Sequence, residues 1–162
     1  MLRTPLILAF IVGITACVIH GAGDRQIQEY NKAVVRGYME ELLNEEAWDS
    51  WDRYFPERVV FNETEITKDS LIGASQFLRN AFPDLRVTIE DQIAERDRVV
   101  TRVVFCGTHR GEFRGIPATG KTVRYSGIAI DRIVNGKVVQ MWHEADVSQM
   151  IEQITEKRPA GV

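Results

Sequence analysis

"TVRYSGIAIDRIVNGKVVQMWHEAD", residues 122–146, sets two runs rich in β-branched residues around a single Asn-Gly pair. Asn135-Gly136 is the strongest short hairpin signal in the chain, because such a two-residue turn needs positive φ at both positions. Val134 then faces Lys137, and an unbroken antiparallel ladder sets Trp142 opposite Ala129 and Asp146 opposite Tyr125. Working backward, "FCGTHRGEFRGIPATGK" (105–121) spaces four glycines through a loop. A phosphate cradle leads from a strand through glycines into a helix whose N-terminus faces the anion. Here the glycines lead into another strand, and Pro117 and Gly120 are turn residues, so 111–121 reads as a long hairpin loop. Pairing His109 with Val123 across it sets Tyr125 opposite Gly107. A slip of one residue in either ladder would turn a whole strand to the other face.

In the run beginning at Val99, alternation places Val99, Thr101, Val103, Phe105, Gly107 and His109 on one face, so His109 ends an apolar face. On the stated register Asp146, Tyr125, His109 and Trp142 share that face at one end of the sheet, on strands ~4.8 Å apart. A carboxylate, a phenol and an imidazole against an aromatic wall are what proton transfer in an apolar pocket requires. Desolvation there would raise the aspartate pKa and make it a base near neutral pH. The plainer alternatives are a solvated acid at a strand end and a histidine satisfied within the core, and the residues alone leave both open. His143 and Glu144 are strand neighbours, so they point to opposite faces and cannot share a metal. His20 lies near the N-terminus, and no His or Cys spacing suits a metal site, so none is expected. Arg110, Arg114 and Arg124 read as a solvated rim, and no Ser or Cys sits in a nucleophile motif.

Outward from these strands the chain changes character. Residues 25–47 repeat Ile27, Tyr30, Val34, Tyr38 and Leu42 at helical spacing, and Trp48, Trp51 and Phe55 continue it until Pro56. Val59–Phe61 reads as a short strand. A second helix runs over 68–81, with Thr67 as N-cap and Leu71, Ile72, Phe77 and Leu78 inward. β-rich runs follow at 85–95, 98–109, 122–134 and 137–147, then a closing helical piece at 148–157. Helices first and an antiparallel meander afterwards predict an α+β domain, a curved antiparallel sheet with helices packed on its concave face.

The 162 residues, 44% hydrophobic and 27% charged, suit one globular domain, taken as 23–162. Twenty basic against 23 acidic residues, a formal charge of -3, leave no basic footprint for nucleic acid. Residues 1–22 carry Arg3 and an apolar run from Leu6 to Ile19, shorter than the ~20 residues that span a bilayer, and read as a secretory signal. "ITAC" at 14–17 also fits a bacterial lipoprotein signal over 1–16, which would tether the domain to a membrane through Cys17. Ordinary cleavage after Gly21 or Ala22 is the other reading. Either predicts an exported protein, periplasmic or membrane-attached, keeping only Cys106 and so no internal disulfide.

"AFPDLRVTIED", "GTHRGEFRGIPATGKTVRYSGIAIDRIVNGKVVQMW" and "WHEADVSQMIEQI" together resemble the SnoaL-like polyketide cyclase, or ester cyclase, family of the NTF2-like cone fold. The resemblance covers about 25–157. It implies a cone enclosing an apolar pocket and ring closure by intramolecular aldol condensation without metal or cofactor. It also implies an aspartate acid/base four residues after the last strand's tryptophan, which is Asp146, and a pocket histidine, His109, bonded to a substrate oxygen. Tyr125, Trp142, Phe105 and Phe82 are then the expected substrate-binding residues. The expected activity is proton transfer next to a carbonyl in a small hydrophobic molecule, by aldol cyclisation or isomerisation. An exported binding protein without chemistry is the alternative, and an interaction module, a homodimer through the open sheet face, is a third reading. Export fits poorly with polyketide ring closure, a cytosolic step, so the family label is read as a relative's substrate.

Overall fold

The computed structural model describes residues 23–156. The leader expected at 1–22, with Cys17, lies outside them. A first helix, α1, covers 23–38 and continues without a break into a π-helical turn, Met39–Asn44. A 3-10 turn, Trp48–Ser50, leads into α2, Trp51–Tyr54, and the short hairpin of β1, Arg58–Phe61, and β2, Thr64–Thr67. Then come α3, Lys68–Ala81; β3, Arg86–Glu95; β4, Arg98–Thr108; β5, Thr122–Val134; β6, Lys137–Ala145; and α4, Val147–Thr155. The strands form one six-stranded sheet in the order β2-β1-β6-β5-β4-β3. The fold is α+β as expected, but the sheet is mixed, because β1 joins β6 in parallel through Val60–Gln140 and Phe61–Met141. The β2 strand was not anticipated: "TEIT" is short and polar, and pairs only because Asn62 and Glu63, both at positive φ, turn the chain back on β1.

β5 shows the expected alternation in full, with Val123, Tyr125, Ala129, Asp131 and Ile133 buried and their neighbours exposed or half-buried. Asn135 and Gly136 both take positive φ, as the hairpin requires. α1 and the π-turn pack on this inner face through Val34, Val35, Tyr38 and Leu42, whereas Ile27 and Tyr30, placed on the same stripe by spacing, are more than half exposed. On α3 the Thr67 hydroxyl accepts from the Ser70 N–H as the N-cap, and Phe77 lies outward rather than inward.

α4 covers an exposed sheet edge. Beyond Ala145 no strand lies on the β6 side of the first part of β5, so the Gln153 amide takes its place: its Oε1 accepts from the Arg124 N–H and its Nε2 donates to the Arg124 carbonyl, each at 2.8 Å. The Lys121 ammonium donates to the carbonyls of Ile154 and Glu156 at the helix C-terminus, where the dipole favours a cation.

The loop after β4 hooks onto the end of α3. The N–H groups of Arg110 and Gly111 both donate to the Ala81 carbonyl, and Asp84 accepts from the Thr108 N–H and hydroxyl. A Cβ on Gly111 would lie 2.0 Å from the Asn80 carbonyl oxygen, a backbone atom that cannot swing aside. Gly111→Ala is therefore expected to cost about 1–3 kcal/mol by overpacking. Gly73→Ala, in open space on α3, should instead gain up to about 1 kcal/mol through helix propensity. Urea unfolding of the pair reads the contrast; equal effects would remove the assigned clash.

Candidate functional site

Between α1, α3 and the inner face of the sheet lies a cavity of about 200 Å³. Its walls are almost wholly apolar: Met39, Leu42 and Leu43 from the π-turn, Trp48, Trp51 and Phe55 from the segment after it, Leu71 and Leu78 from α3, and Val103, Phe105 and Met141 from the sheet. The π-turn helps shape it. One extra residue in the turn lets Met39 and Leu42 bury while Leu43 also reaches the cavity, and such insertions are common at functional sites. The turn's free carbonyls do not open into the cavity unpartnered, because Arg79 of α3 donates to Leu43 and pairs with Glu46 at 3.2 Å. The positive charge of Arg79 is thus already engaged.

Two polar features border this cavity, and the sequence expectations named neither as a site. The first is His143. The ladder between β5 and β6 begins as expected, Val134–Lys137 and Ile133–Val138, but then shifts by one residue so that Arg132 pairs with Gln140. Val139 is the extra residue of a β-bulge. Beyond it every side chain of β6 changes face. His143, not Trp142, pairs with Ala129 and looks into the cavity, its ring 5.9 Å from Phe105 and 6.4 Å from the ring of Phe61. Gly127 makes room for it: a Cβ there would lie 3.0 Å from both Phe105 Cε2 and the Glu144 carbonyl and 3.3 Å from His143 Nε2. Burial pushes the imidazole below its usual pKa, against a smaller opposing pull from Glu144, so the ring is neutral at pH 7. Its backbone is gripped from the turn after β1, where Asn62 Oδ1 accepts from the His143 N–H at 2.8 Å and Asn62 Nδ2 donates to the His143 carbonyl at 3.1 Å.

The second feature is a buried pair. Asp131 of β5 has no exposed surface, and its carboxyl meets the Tyr38 hydroxyl of α1 at 3.2 and 3.4 Å. Burial pushes Asp131 up to about 7, against the hydrogen bond from Tyr38, and holds Tyr38 well above the ordinary phenol range. Tyr38 lines the cavity. A carboxylate on the otherwise apolar face of β5 was a signal available in the alternation, since Asp131 follows Val123, Tyr125 and Ala129 at period two.

The expected site residues are dispersed. Asp146 is exposed and caps α4, its Oδ1 accepting from the Gln149 N–H at 2.9 Å, so the desolvation expected of it is absent. Trp142 faces outward, its Nε1 donating to Glu63 at 2.5 Å. Both departures follow from the bulge. The β4–β5 ladder pairs Gly107 with Val123 and Phe105 with Tyr125, two residues from the expected register and so on the expected face. Phe105 lines the cavity, and Tyr125 stacks behind it at 4.9 Å, burial pushing its phenol up to about 12. His109 is wholly buried away from the cavity lining, stacked on Phe82 at 5.2 Å with Nδ1 3.1 Å from the Thr119 hydroxyl, and burial keeps it neutral. It ties the 111–121 loop, its N–H donating to Lys121 and its carbonyl accepting from Gly120. Among the described residues no group of three or more His, Cys, Asp and Glu side chains is arranged to hold a metal ion, and no helix is long and apolar enough to cross a membrane.

A curved sheet closed by helices over an apolar cavity defines the class: an α+β fold of the NTF2-like cone type. The sequence profile of the SnoaL-like polyketide cyclases matches residues 33–154, and the chain belongs to that family. Solved structures agree in fold. A protein of Jannaschia sp. CCS1 assigned as a SnoaL-like polyketide cyclase is 22% identical, with a TM-score of 0.72 over 82% of this chain and 96% of its own. IdmH of Streptomyces antibioticus, assigned as a polyketide cyclase, is 25% identical, with a TM-score of 0.72 over 78% of this chain and 99% of its own. AclR of Streptomyces galilaeus, assigned as a hydroxylase, is 23% identical, with a TM-score of 0.70 over 81% of this chain and 99% of its own. No curated protein matches the chain.

Proposed function

We propose that this chain is a cofactor-independent enzyme that moves a proton at a carbon next to a carbonyl in a small apolar molecule held in the cavity. The observation that carries the reading is the neutral imidazole of His143 set into an otherwise apolar wall. A base is useful where its free form predominates at working pH and its surroundings are apolar, and a half-buried ring that burial lowers, set among apolar side chains, suits both. In the proposed step an imidazole nitrogen takes the α-proton, the bonding pair moves into the carbonyl to give an enolate, and the same nitrogen returns the proton to the enolate or its aldol product. The names of relatives divide between cyclase and hydroxylase, so the proposal rests on the cavity rather than on any one relative. Export, as expected from residues 1–22, would favour a small carbonyl compound met outside the cytosol over a nascent polyketide.

The test needs no physiological substrate. 1-Tetralone, a bicyclic ketone with an enolisable methylene, should exchange its C2 protons in D₂O faster with the protein than with buffer, as read by proton NMR. Binding without exchange would make this a binding protein and end the enzymatic reading. The role that the family resemblance gives to Asp146 is tested in the same assay. Asp146→Asn keeps a good helix cap and should leave exchange within twofold, because the carboxylate lies in solvent at the start of α4. A loss above tenfold would return the role of base to Asp146.

A further inference from the structure

Asp131 and Tyr38 form a pair whose protons can be counted. No cation or second carboxylate is among the causes acting on Asp131. It is flanked in the sheet by Val99 of β4 and Met141 of β6, and met from α1 by Tyr38. When the carboxyl is ionised, the tyrosine O–H has one use, which is to donate to it. When the carboxyl is protonated, two O–H groups share one contact, and one of them is left without an acceptor in the protein. Of the two residues only Tyr38 lines the cavity. The free O–H of the protonated pair therefore belongs on the tyrosine, with Asp131 donating to the phenol oxygen behind it. An O–H freed beside an apolar cavity is a site for one lone-pair acceptor, and a bare donor left there costs about 1–3 kcal/mol.

We propose that Tyr38, backed by protonated Asp131, is the hydrogen-bond donor that receives the carbonyl oxygen of the ligand in this cavity. The proposal rests on the reading of the cavity as a binding site for a small carbonyl compound and adds where its oxygen lies. The placement suits the chemistry. Asp131 pairs with Met141, and His143 is two residues further along β6 on the same face, a diagonal separation of about 7–8 Å in a sheet. Donor and base thus border one small molecule from neighbouring rungs, one at its oxygen and one at the adjacent carbon. The donor would strengthen as charge develops on that oxygen, which is the interaction that speeds enolisation.

Binding of 1-tetralone and of tetralin, the same bicyclic frame without the carbonyl, tests this, with quenching of Trp48 and Trp51 at the cavity wall as the reporter. Neither ligand titrates, and tetralin, read over the same pH range, reports any change that the His143 imidazole, lowered by burial, makes to the cavity. Wild type should bind tetralone up to about tenfold more tightly at pH 6 than at pH 8.5, the worth of one hydrogen bond, while tetralin affinity stays constant. Tyr38→Phe, which removes only the hydroxyl, should lose the pH dependence and bind tetralone as weakly at both pH values as wild type does at pH 8.5. Asp131→Asn, whose amide donates to the phenol oxygen at every pH, should keep the tight binding at pH 8.5. Tetralone affinity that is independent of pH and equal in Tyr38→Phe would overturn the donor while leaving the cavity a ligand site. Failure of both ligands to bind would overturn the reading of the cavity together with the donor.

Discussion

His143→Gln is expected to lower the rate of tetralone α-proton exchange by a factor of ~10²–10⁴, the usual contribution of a positioned general base. Glutamine keeps much of the volume and the hydrogen-bonding capacity of the ring but cannot accept a proton at neutral pH. The loss should therefore fall on kcat, with KM little changed, because the interaction removed is needed chiefly in the transition state. The pH profile carries a second signature. Burial holds His143 below its usual value, so activity should fall only as pH drops below about 6.5, the ordinary histidine value. On the other side, ionisation of Asp131 near 7 ties up the Tyr38 proton, and activity should decline above that pH. Asp131→Asn should remove the alkaline limb and leave the acid limb in place. A profile flat from pH 6 to 9 would exclude the ionisation of Asp131 from the rate.

The same aspartate governs stability in a direction opposite to that of most carboxylates. In the unfolded chain it ionises near the ordinary value of ~3.9, whereas in the fold it keeps its proton up to about 7. Below pH 4 both states are protonated and the stability is whole. Between pH 4 and 7 the unfolded chain loses a proton that the folded chain keeps, so the fold weakens by up to roughly 4 kcal/mol and levels off above 7. Asp84 and Asp97, held below the usual range by bonds to Thr108 and Arg132, act in the other sense, their stabilisation being lost in acid. The comparison with Asp131→Asn isolates the one residue. Urea midpoints of wild type and variant should coincide near pH 4 and diverge as pH rises, with the variant the more stable at pH 8. Parallel curves would mean that the buried carboxyl does not titrate in this range.

The extent to which the sequence foretold the fold follows from which signals are local. The Asn135-Gly136 turn, the alternation of β5 and the Thr67 cap each depend on a few adjacent residues, and all three stand as read. The bulge does not announce itself in this way. Val139 is an ordinary β-branched residue, and β6 carries apolar side chains on both faces, Val138 and Met141 inward and Trp142 outward. Hydrophobic alternation cannot detect a slip when either face would accept it. The outer face is forgiving as well, since Ile93, Val100, Ile130 and Trp142 line up across four strands there. One displaced residue therefore exchanged His143 for Trp142 in the cavity and moved Asp146 into solvent. Tyr38 was legible as a helix residue of the inner stripe, but its meeting with Asp131, 93 positions away, belongs to tertiary packing.

The hairpin of β1 and β2 is joined to the sheet by a narrow seam. Two parallel pairs and the turn residue Asn62 hold it to β6, while β4 and β5 are paired over eleven positions. Regions with few shared bonds open at lower free energy than the whole molecule, so parting this seam is expected to cost less than parting β4 from β5. Phe61, at its edge, is a wall of the cavity, and Asn62 is the clasp on the His143 backbone. Parting the seam would widen a way in for a ligand and loosen the imidazole in the same movement. On the proposed function, admission and reaction would then belong to alternate positions of one hairpin, and its closing would place a ceiling on turnover.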